Sequence, residues 1–154
     1  MIYRYELQVP HCAIDANGHA NNVEYLRWMQ DAAIAHAHSS GGTAAARALG
    51  GTWFARNHFI EYLHPANEGE ELVVLTWIET TSRSTSFRRY RIFNRQTGRL
   101  LACGKTTWVF VNAKTGKPKS IPESVSECYS PTGEGIEPKL GGKEAPPHSE
   151  GLAG

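Results

Sequence analysis

Hydrophobic and polar positions alternate along residues 2–9 with the period of two that is typical of β-strands, and four later segments have a strand-forming composition. These segments are rich in Trp, Phe, Tyr, Val, Ile and Thr, and turn-forming residues separate them. The pattern predicts strands over residues 2–9, 53–63, 70–82, 85–95 and 100–112. Because short loops join the last four strands, we expect them to form an antiparallel sheet.

The pattern changes after the first strand, where apolar residues recur around most of a helical segment. It predicts a helix over residues 23–39, on which Glu24, Arg27, Asp31 and His38 fall on one narrow stripe. Gly41 and Gly42 end this helix, and residues 43–49 are expected to form a further short helical turn. A helix that is apolar on most sides must be largely enclosed by other structure.

One strand carries information about how the sheet is covered. The stretch Leu72-Val-Val-Leu-Thr-Trp-Ile78 is apolar at consecutive positions, so both faces of the sheet should be buried. A single long helix can cover only one face. We therefore expect the other face to meet a second subunit and the protein to be at least a homodimer.

Composition divides the chain into two parts. With 154 residues, of which 40% are hydrophobic, the chain is expected to form a single compact domain over residues 1–129. Gly and Pro dominate the remainder, which has almost no large apolar residues. Such a segment buries too little surface to offset its ordering entropy, so residues 130–154 are predicted to be a flexible tail.

Charge and cysteine content restrict the surroundings in which the protein is expected to act. A formal net charge of +1 gives no reason to expect binding to nucleic acid or to an anionic membrane. No apolar run approaches the ~20 residues that a membrane-spanning helix needs, and the N-terminus lacks the apolar core of a signal peptide. The three cysteines show no CxxC spacing, so we expect reduced thiols and a cytoplasmic location.

An unusually polar segment, Asp15-Ala-Asn-Gly-His-Ala-Asn-Asn22, lies immediately before the predicted helix. The first backbone N–H groups of a helix have no partners within the helix, so polar side chains at this place predict a binding or catalytic site. The alternative is a turn followed by a helix N-cap. A cap needs one Asp, Asn or Gly residue, and this segment supplies five.

Several kinds of catalytic site are not expected from the sequence. There is no Gly-x-Ser-x-Gly motif for an α/β-hydrolase triad, and no Gly-rich phosphate-binding loop. His36 and His38 would project about 200° apart on a helix. His58 and Glu61 would lie on opposite faces of a strand. We therefore expect no metal site.

Asp15 is the reactive group that remains. A carboxylate of this kind can activate water as a general base or attack an activated acyl group directly. Backbone N–H groups at the start of the helix could stabilise the oxyanion that develops. The combination suits hydrolysis of an activated ester or thioester, whereas the alternative is that Asp15 only caps a turn.

Arginines are concentrated around the third and fourth strands of the sheet, among Ser82, Ser84, Thr85 and Ser86. The cluster consists of Arg83, Arg88, Arg89, Arg91, Arg95 and Arg99. Arginines beside hydroxyl groups are suited to binding phosphates, such as those of a nucleotide. The alternative is a solvated strand face with charged side chains at its edge.

These motifs resemble those of the hotdog-fold acyl-CoA thioesterases of the 4-hydroxybenzoyl-CoA thioesterase type, and of the related acyl-ACP thioesterases. The resemblance covers residues 2–125 and depends on the segments Asp15–Tyr25, His58–Ala66, Thr106–Val111 and Pro118–Pro122. It implies an α+β hotdog fold, in which a curved antiparallel β-sheet wraps around one long central α-helix. It also implies a homodimer with the active site at the interface, and a homotetramer formed as a dimer of dimers.

The resemblance implies a role for each candidate residue. Asp15 would be the catalytic base or nucleophile, and the backbone N–H near Asn22 would bind the thioester oxygen. His19 and Asn17 would position substrate or water. The substrate-binding residues implied by the resemblance are His58 in the pocket and Ser84, Thr85, Arg88, Arg89 and Arg91 beside the CoA moiety.

The implied reaction is hydrolysis of an acyl-CoA or acyl-ACP thioester to a free acid and a thiol. It requires no cofactor, because coenzyme A is part of the substrate. Two alternatives are an enoyl-thioester hydratase or dehydratase of the same fold, and a non-catalytic acyl-CoA binding module. The sequence leaves open the acyl specificity and the choice between CoA and carrier protein.

Overall fold

The computed structural model describes residues 1–140, which form one antiparallel sheet, one long helix and several short helical segments. The strands are β1 (Tyr3–Gln8), β2 (Gly51–Tyr62), β3 (Glu71–Thr81), β4 (Thr85–Asn94) and β5 (Leu100–Asn112), and the helices are α1 (Asn22–Ser39), α2 (Gly42–Ala48) and α3 (Glu123–Ser126). Short 3-10 helices span His11–Ala13 and Glu127–Tyr129. The elements predicted from the sequence are confirmed, with ends shifted by at most two residues.

The sheet has the strand order β1-β3-β4-β5-β2, and all its neighbours pair antiparallel. Consecutive strands in the chain would place β2 beside β3, but β2 pairs with β5 at the opposite edge. The register of β2 shifts between Ala55 and Asn57, where a bulge interrupts the pairing. In the part of the chain that the structure describes, no strand pairs with the outer edge of β2.

Helix α1 packs against the inner face of the sheet. The main core cluster joins α1 to β3, β4 and β5 through Tyr25, Trp28, Met29, Ala32, Leu72, Val74, Tyr90, Ile92, Leu101 and Ala102. The opposite side of α1 stays open, since Val23 is 63% exposed and Ile34 is 53% exposed. A single chain therefore encloses the helix on one side only, which is less than the apolar pattern predicted. No helix within residues 1–140 combines the length and apolar character required to cross a membrane.

The outer face of the sheet is also covered, as the strand pattern predicted. Val73, Leu75, Trp77 and Phe93 are buried there and pack against Ile2, Leu100 and Leu140. This cover comes from the chain itself and not from a second subunit. The expectation of a dimer therefore loses the support that it drew from this face.

The covering segment is residues 130–140, which composition predicted to be part of a flexible tail. The backbone N–H groups of Thr132 and Gly133 donate to the carbonyl groups of Ile78 and Glu79, each at 2.9 Å. These bonds are formed by the main chain, which explains why the Gly- and Pro-rich composition gave no sign of them. The rest of the predicted tail, residues 141–154, lies outside the described residues.

A five-stranded antiparallel sheet packed against one long helix is the α+β hotdog fold. The fold class predicted from the sequence is thus confirmed. It places the loop before α1 and the end of β2 on the same side of the molecule, where a β-bridge between Ile14 and Ala20 and the N-cap at Asn21 order the loop.

Candidate active site

The loop before α1 makes a tight turn from Asp15 to His19. The N–H of Asp15 donates to the carbonyl of His19 at 2.9 Å, and the N–H of Gly18 donates to the carbonyl of Asp15 at 3.0 Å. Gly18 has a φ of +79°, a left-handed conformation that glycine adopts without steric cost. The turn therefore holds the backbone of Asp15 in one place beside the start of the helix.

Three further hydrogen bonds attach this loop to its surroundings. The N–H of Asn21 donates to Ala13 at 2.8 Å, and the N–H of Ala20 donates to the carbonyl of Ala66 at 2.9 Å. The N–H of Ala66 in turn donates to the hydroxyl of Tyr25 on α1 at 2.9 Å. The loop, the helix and the segment after β2 are thus joined into one unit.

The two oxygens of the Asp15 carboxylate have different surroundings. Oδ1 accepts a hydrogen bond of 2.9 Å from the backbone N–H of Asn17, which is the turn-capping role considered from the sequence. Within residues 1–140, Oδ2 accepts no hydrogen bond. The side chain is half-buried. One oxygen therefore holds the turn together while the other is available to a ligand.

The first backbone N–H groups of α1 also differ in their partners. The N–H of Val23 donates to Asn21 Oδ1 at 3.0 Å, and the N–H of Glu24 donates to the Asn21 carbonyl at 2.9 Å. The N–H of Asn22 has no acceptor among the residues that the structure describes. The helix dipole places partial positive charge at this end, so the Asn22 N–H is a donor suited to a developing oxyanion.

Asp15 and Asn22 line the same open pocket, whose volume is about 490 Å³. Its other lining residues are Asn17, His19, Ala20, Asn21, Tyr25, Tyr62, Leu63, His64 and Pro65. The structure thus brings together the four residues predicted to be catalytic. Within residues 1–140, no three His, Cys, Asp or Glu side chains lie close enough together to hold a metal ion.

Residues for which the sequence predicted no role enter this pocket from the end of β2. The Tyr62 hydroxyl donates to the carbonyl of Asn22 at 2.8 Å, and its ring meets that of Tyr25 edge-on at 5.2 Å between centroids. His64 lines the pocket two residues further along the chain. The only available signal was their membership in the segment His58–Ala66.

His58 does not line the Asp15 pocket within one chain. It lies on β2 four residues before Tyr62, which corresponds to about 13 Å in an extended strand. Its Nδ1 is 2.7 Å from Thr106 Oγ1, and its ring meets Trp108 edge-on. Burial lowers the pKa of His58 below its usual value. The structure therefore places His58 half-buried beside Thr106 and Trp108 of β5, away from Asp15.

The predicted arginine surface is divided between the two faces of β4. Arg88 points inward and is only 4% exposed, whereas Arg89 and Arg91 lie on the outer face. Arg89 pairs with Glu79, and Arg91 Nη1 donates to the carbonyl of Pro138 at 3.3 Å. Arg88 is thus not part of an exposed phosphate-binding surface, because neighbouring residues of a strand face opposite sides of the sheet.

Ser84 and Thr85 lie at the turn between β3 and β4. The carbonyl of Ser84 accepts from the N–H of Phe110 at 2.7 Å, and the carbonyl of Thr85 accepts from the N–H of Ser82 at 2.8 Å. The backbone of Thr85 therefore closes this turn, and that of Ser84 joins it to β5. The residues predicted to bind substrate do not form one continuous surface with each other or with Asp15.

Comparison with known proteins adds to this geometry. The family model described as the thioesterase-like superfamily matches residues 9–128. None of the curated proteins compared with the chain matches it.

Three solved structures have the same fold. A 1,4-dihydroxy-2-naphthoyl-CoA thioesterase from Synechocystis is 21% identical, with a TM-score of 0.75 over 84% of this chain and 96% of that one. A DHNA-CoA thioesterase from Staphylococcus aureus is 24% identical, with a TM-score of 0.74 over 84% and 89%. A hypothetical protein from Aquifex aeolicus is 26% identical, with a TM-score of 0.74 over 82% and 98%.

Proposed function

The chain belongs to the thioesterase-like superfamily, and we propose that it hydrolyses acyl thioesters with Asp15 as the catalytic carboxylate. The observation that carries this proposal is that Asp15 and Asn22 line one pocket, the first with an unbonded carboxylate oxygen and the second with an unbonded N–H. A base or nucleophile and an oxyanion donor are the two components that acyl transfer requires.

In the proposed reaction, the thioester carbonyl oxygen accepts a hydrogen bond from the Asn22 N–H. Asp15 removes a proton from water as the water oxygen attacks the carbonyl carbon. The tetrahedral oxyanion is stabilised by the Asn22 N–H and by the positive end of α1. The carbon–sulfur bond then breaks, and the proton held by Asp15 passes to the departing thiolate.

The same geometry accommodates direct attack by Asp15. The carboxylate oxygen would then form a mixed anhydride and release the thiolate, and water would hydrolyse the anhydride in a second step. A single turnover in ¹⁸O-labelled water distinguishes the two routes. General-base catalysis places the label in the acid product. Attack by Asp15, followed by hydrolysis of the anhydride at the aspartyl carbonyl, leaves the first acid product unlabelled and places the label in the Asp15 carboxylate.

His19 and Asn17 are proposed to position the acyl group or the water. Both side chains are exposed and line the pocket, and Asn17 also holds Asp15 through its backbone N–H. Their position at the mouth of the pocket supports a role in orienting groups that enter it. The chemical step itself is assigned to Asp15.

A homodimer is proposed from the free edge of β2. Large apolar side chains are exposed on this strand and just after it, namely Phe54 (63%), Phe59 (57%), Tyr62 (43%) and Leu63 (41%). An exposed, apolar edge strand is a surface that proteins normally cover. Antiparallel pairing of β2 with its copy about a twofold axis would cover it and place the Asp15 pocket at the interface. The homotetramer stays a prediction.

Coenzyme A thioesters are the proposed first substrates, because two of the compared structures carry the names of CoA thioesterases. Ser84, Thr85, Arg89 and Arg91 remain candidates for contact with the CoA phosphates. Carrier-protein thioesters are the second class, for which the same pocket chemistry would serve. The acyl groups in the names of those two structures describe the substrates of those proteins and are not assigned to this chain.

The proposal is tested by measuring thiol release from a panel of acyl-CoAs with short, long, aromatic and carboxylated acyl groups. We expect thiol release from at least one of them. Loss of enoyl-CoA absorbance without thiol release would instead identify a hydratase. Saturable binding without any turnover would identify a binding module.

A further inference from the structure

A second cavity, of about 350 Å³, lies at the other end of α1, between α1, α2 and the inner face of the sheet. Its apolar walls are formed mainly by Ala33, Ile34, Ala46, Trp53, Ile78 and Trp108. Two arginines, Arg47 and Arg88, also line it. Among the residues that the structure describes, no Asp or Glu lines this cavity. The cavity is therefore apolar with a cationic wall.

Arg88 is the residue that gives this cavity its unusual character. It is only 4% exposed, and its Nη1 is 3.0 Å from both His36 Nδ1 and Thr76 Oγ1. Its guanidinium carbon lies 5.6 Å from the centroid of the Tyr129 ring. An imidazole nitrogen that accepts a hydrogen bond from a guanidinium carries no proton, so His36 is neutral in this arrangement.

All of these partners are uncharged. Within residues 1–140, Arg88 forms no ion pair, and its Nε and Nη2 have no hydrogen-bond acceptor. Burial of a charge is costly unless the charge is paired, so buried arginines are normally accompanied by a carboxylate. A guanidinium that lines a cavity without such a partner has donors available for an anion that comes from outside the chain.

We propose that this cavity binds the far end of the acyl group of a thioester substrate that carries a second carboxylate, which pairs with Arg88. The proposal rests on the thioesterase function and the β2-paired dimer proposed above. A carboxylate matches a guanidinium because it accepts two parallel N–H hydrogen bonds, and it supplies the full negative charge that a neutral or phenolic group lacks. The apolar walls accommodate the methylene groups between the two ends of the acyl chain.

The dimer explains how the cavity communicates with the catalytic pocket. Within one chain, Asn22 and Ile34 are separated by about 18 Å along α1, given a rise of 1.5 Å per residue. Antiparallel pairing of β2 places the Gly51 end of one strand beside the Tyr62 end of the other. Gly51 lines the cavity and Tyr62 lines the Asp15 pocket. The cavity of one subunit would thus adjoin the catalytic pocket of its partner.

A binding experiment tests the cavity without requiring any catalysis. Trp53 and Trp108 line the cavity, so their fluorescence is measured during titration with monomethyl suberate, which has one carboxylate, and with dimethyl suberate, which has none. We expect the monomethyl ester to bind at least ten-fold more tightly. Equal affinities, or no binding of the monomethyl ester, would overturn the proposal.

Variants of Arg88 assign the preference to this residue. We expect R88M to bind the two esters equally and R88K, which keeps the charge, to retain part of the preference. R95M removes an exposed arginine outside the cavity and should retain the full preference. An R88M protein that still prefers the monomethyl ester would overturn the proposal. If R88M does not fold, R88K and the comparison of the two esters with the unmodified protein decide the matter.

Kinetic measurements separate this proposal from the proposed function. We expect kcat/KM to be at least ten-fold higher for suberoyl-CoA than for octanoyl-CoA, and R88M to remove the difference. Arg88-dependent binding of the monomethyl ester without hydrolysis of any CoA or carrier-protein thioester would support the cavity and refute the function. Asp15-dependent hydrolysis with no preference for suberoyl-CoA would support the function and refute the cavity.

Discussion

The hydroxyl of Tyr62, at the end of β2, donates a 2.8 Å hydrogen bond to the backbone carbonyl of Asn22, at the start of α1. Asn22 is also the residue whose N–H has no acceptor within residues 1–140. The bond therefore joins the edge strand of the sheet to the residue proposed to bind the thioester oxygen. It restrains the helix end from which this donor projects.

We predict that Y62F lowers kcat/KM for thioester hydrolysis about five-fold, since a neutral hydrogen bond contributes about 1 kcal/mol. The Asn22 N–H would still be present as a donor. Without the Tyr62 hydroxyl, however, the start of α1 would be held less firmly in place. Steady-state thiol release measures the effect. Tyr5, whose ring lies outside the pocket, provides the control Y5F, which should leave kcat/KM unchanged. Equal losses in both variants would contradict a specific role for Tyr62.

The N-cap of α1 leads to a second prediction. N21A removes the acceptor of the Val23 N–H and should lower the free energy of unfolding by about 1 kcal/mol. N21S keeps a capping oxygen and should lose much less. Urea unfolding followed by circular dichroism measures both variants. If N21A is as stable as N21S, the cap does not hold the start of the helix in place.

The pH dependence of stability provides a test of the position of His58. Burial lowers the pKa of His58 in the folded protein, so the unfolded chain binds a proton at His58 more readily. The free energy of unfolding should therefore fall as the pH decreases below about 6.5, the usual pKa of histidine. We predict a smaller decrease in H58Q. Identical pH profiles of the two proteins would show that His58 is not the group responsible.

The free edge of β2 leads to a prediction about assembly. F54E places a charge on this edge, where a twofold axis would bring it near its own copy, and should shift the protein from dimer to monomer. F87E is the matched control, because Phe87 is an exposed phenylalanine on β4, away from the edge. Sedimentation velocity measures the mass of each variant. A dimeric F54E, or monomers in both variants, would contradict pairing through β2.

The sequence predicted the sheet and the helix well because their periodicity is local. The run of consecutive apolar residues in β3 also predicted correctly that both faces of that strand would be buried. The strand order could not be predicted from local periodicity, because β2 pairs with β5 and these two strands are far apart in the sequence. For the same reason, the approach of Tyr62 to Asn22 could only be observed in the structure.

The position of Arg88 in its strand was a signal in the sequence that the clustering of the arginines concealed. Arg88 and Arg89 are neighbours in a strand, so they cannot both face a phosphate on one surface. Treating the arginines as one cluster placed Arg88 on the wrong surface. The alternation of side chains along β4 would have placed Arg88 on the face that packs against α1. The contacts of Arg88 with His36 and Thr76 require the structure, because they join three separate elements.

The central claim is that the Asp15 carboxylate performs the chemistry, and D15N tests it most directly. Asparagine keeps the Oδ1 oxygen that accepts from the Asn17 N–H, so the turn and the melting temperature should be preserved. Only the negative charge and the ability to take up a proton are lost. On the best substrate of the acyl-CoA panel, we predict that kcat falls by about 10²–10⁴-fold, as removal of a general base commonly produces. A folded D15N protein that releases thiol as fast as the unmodified protein would contradict the account.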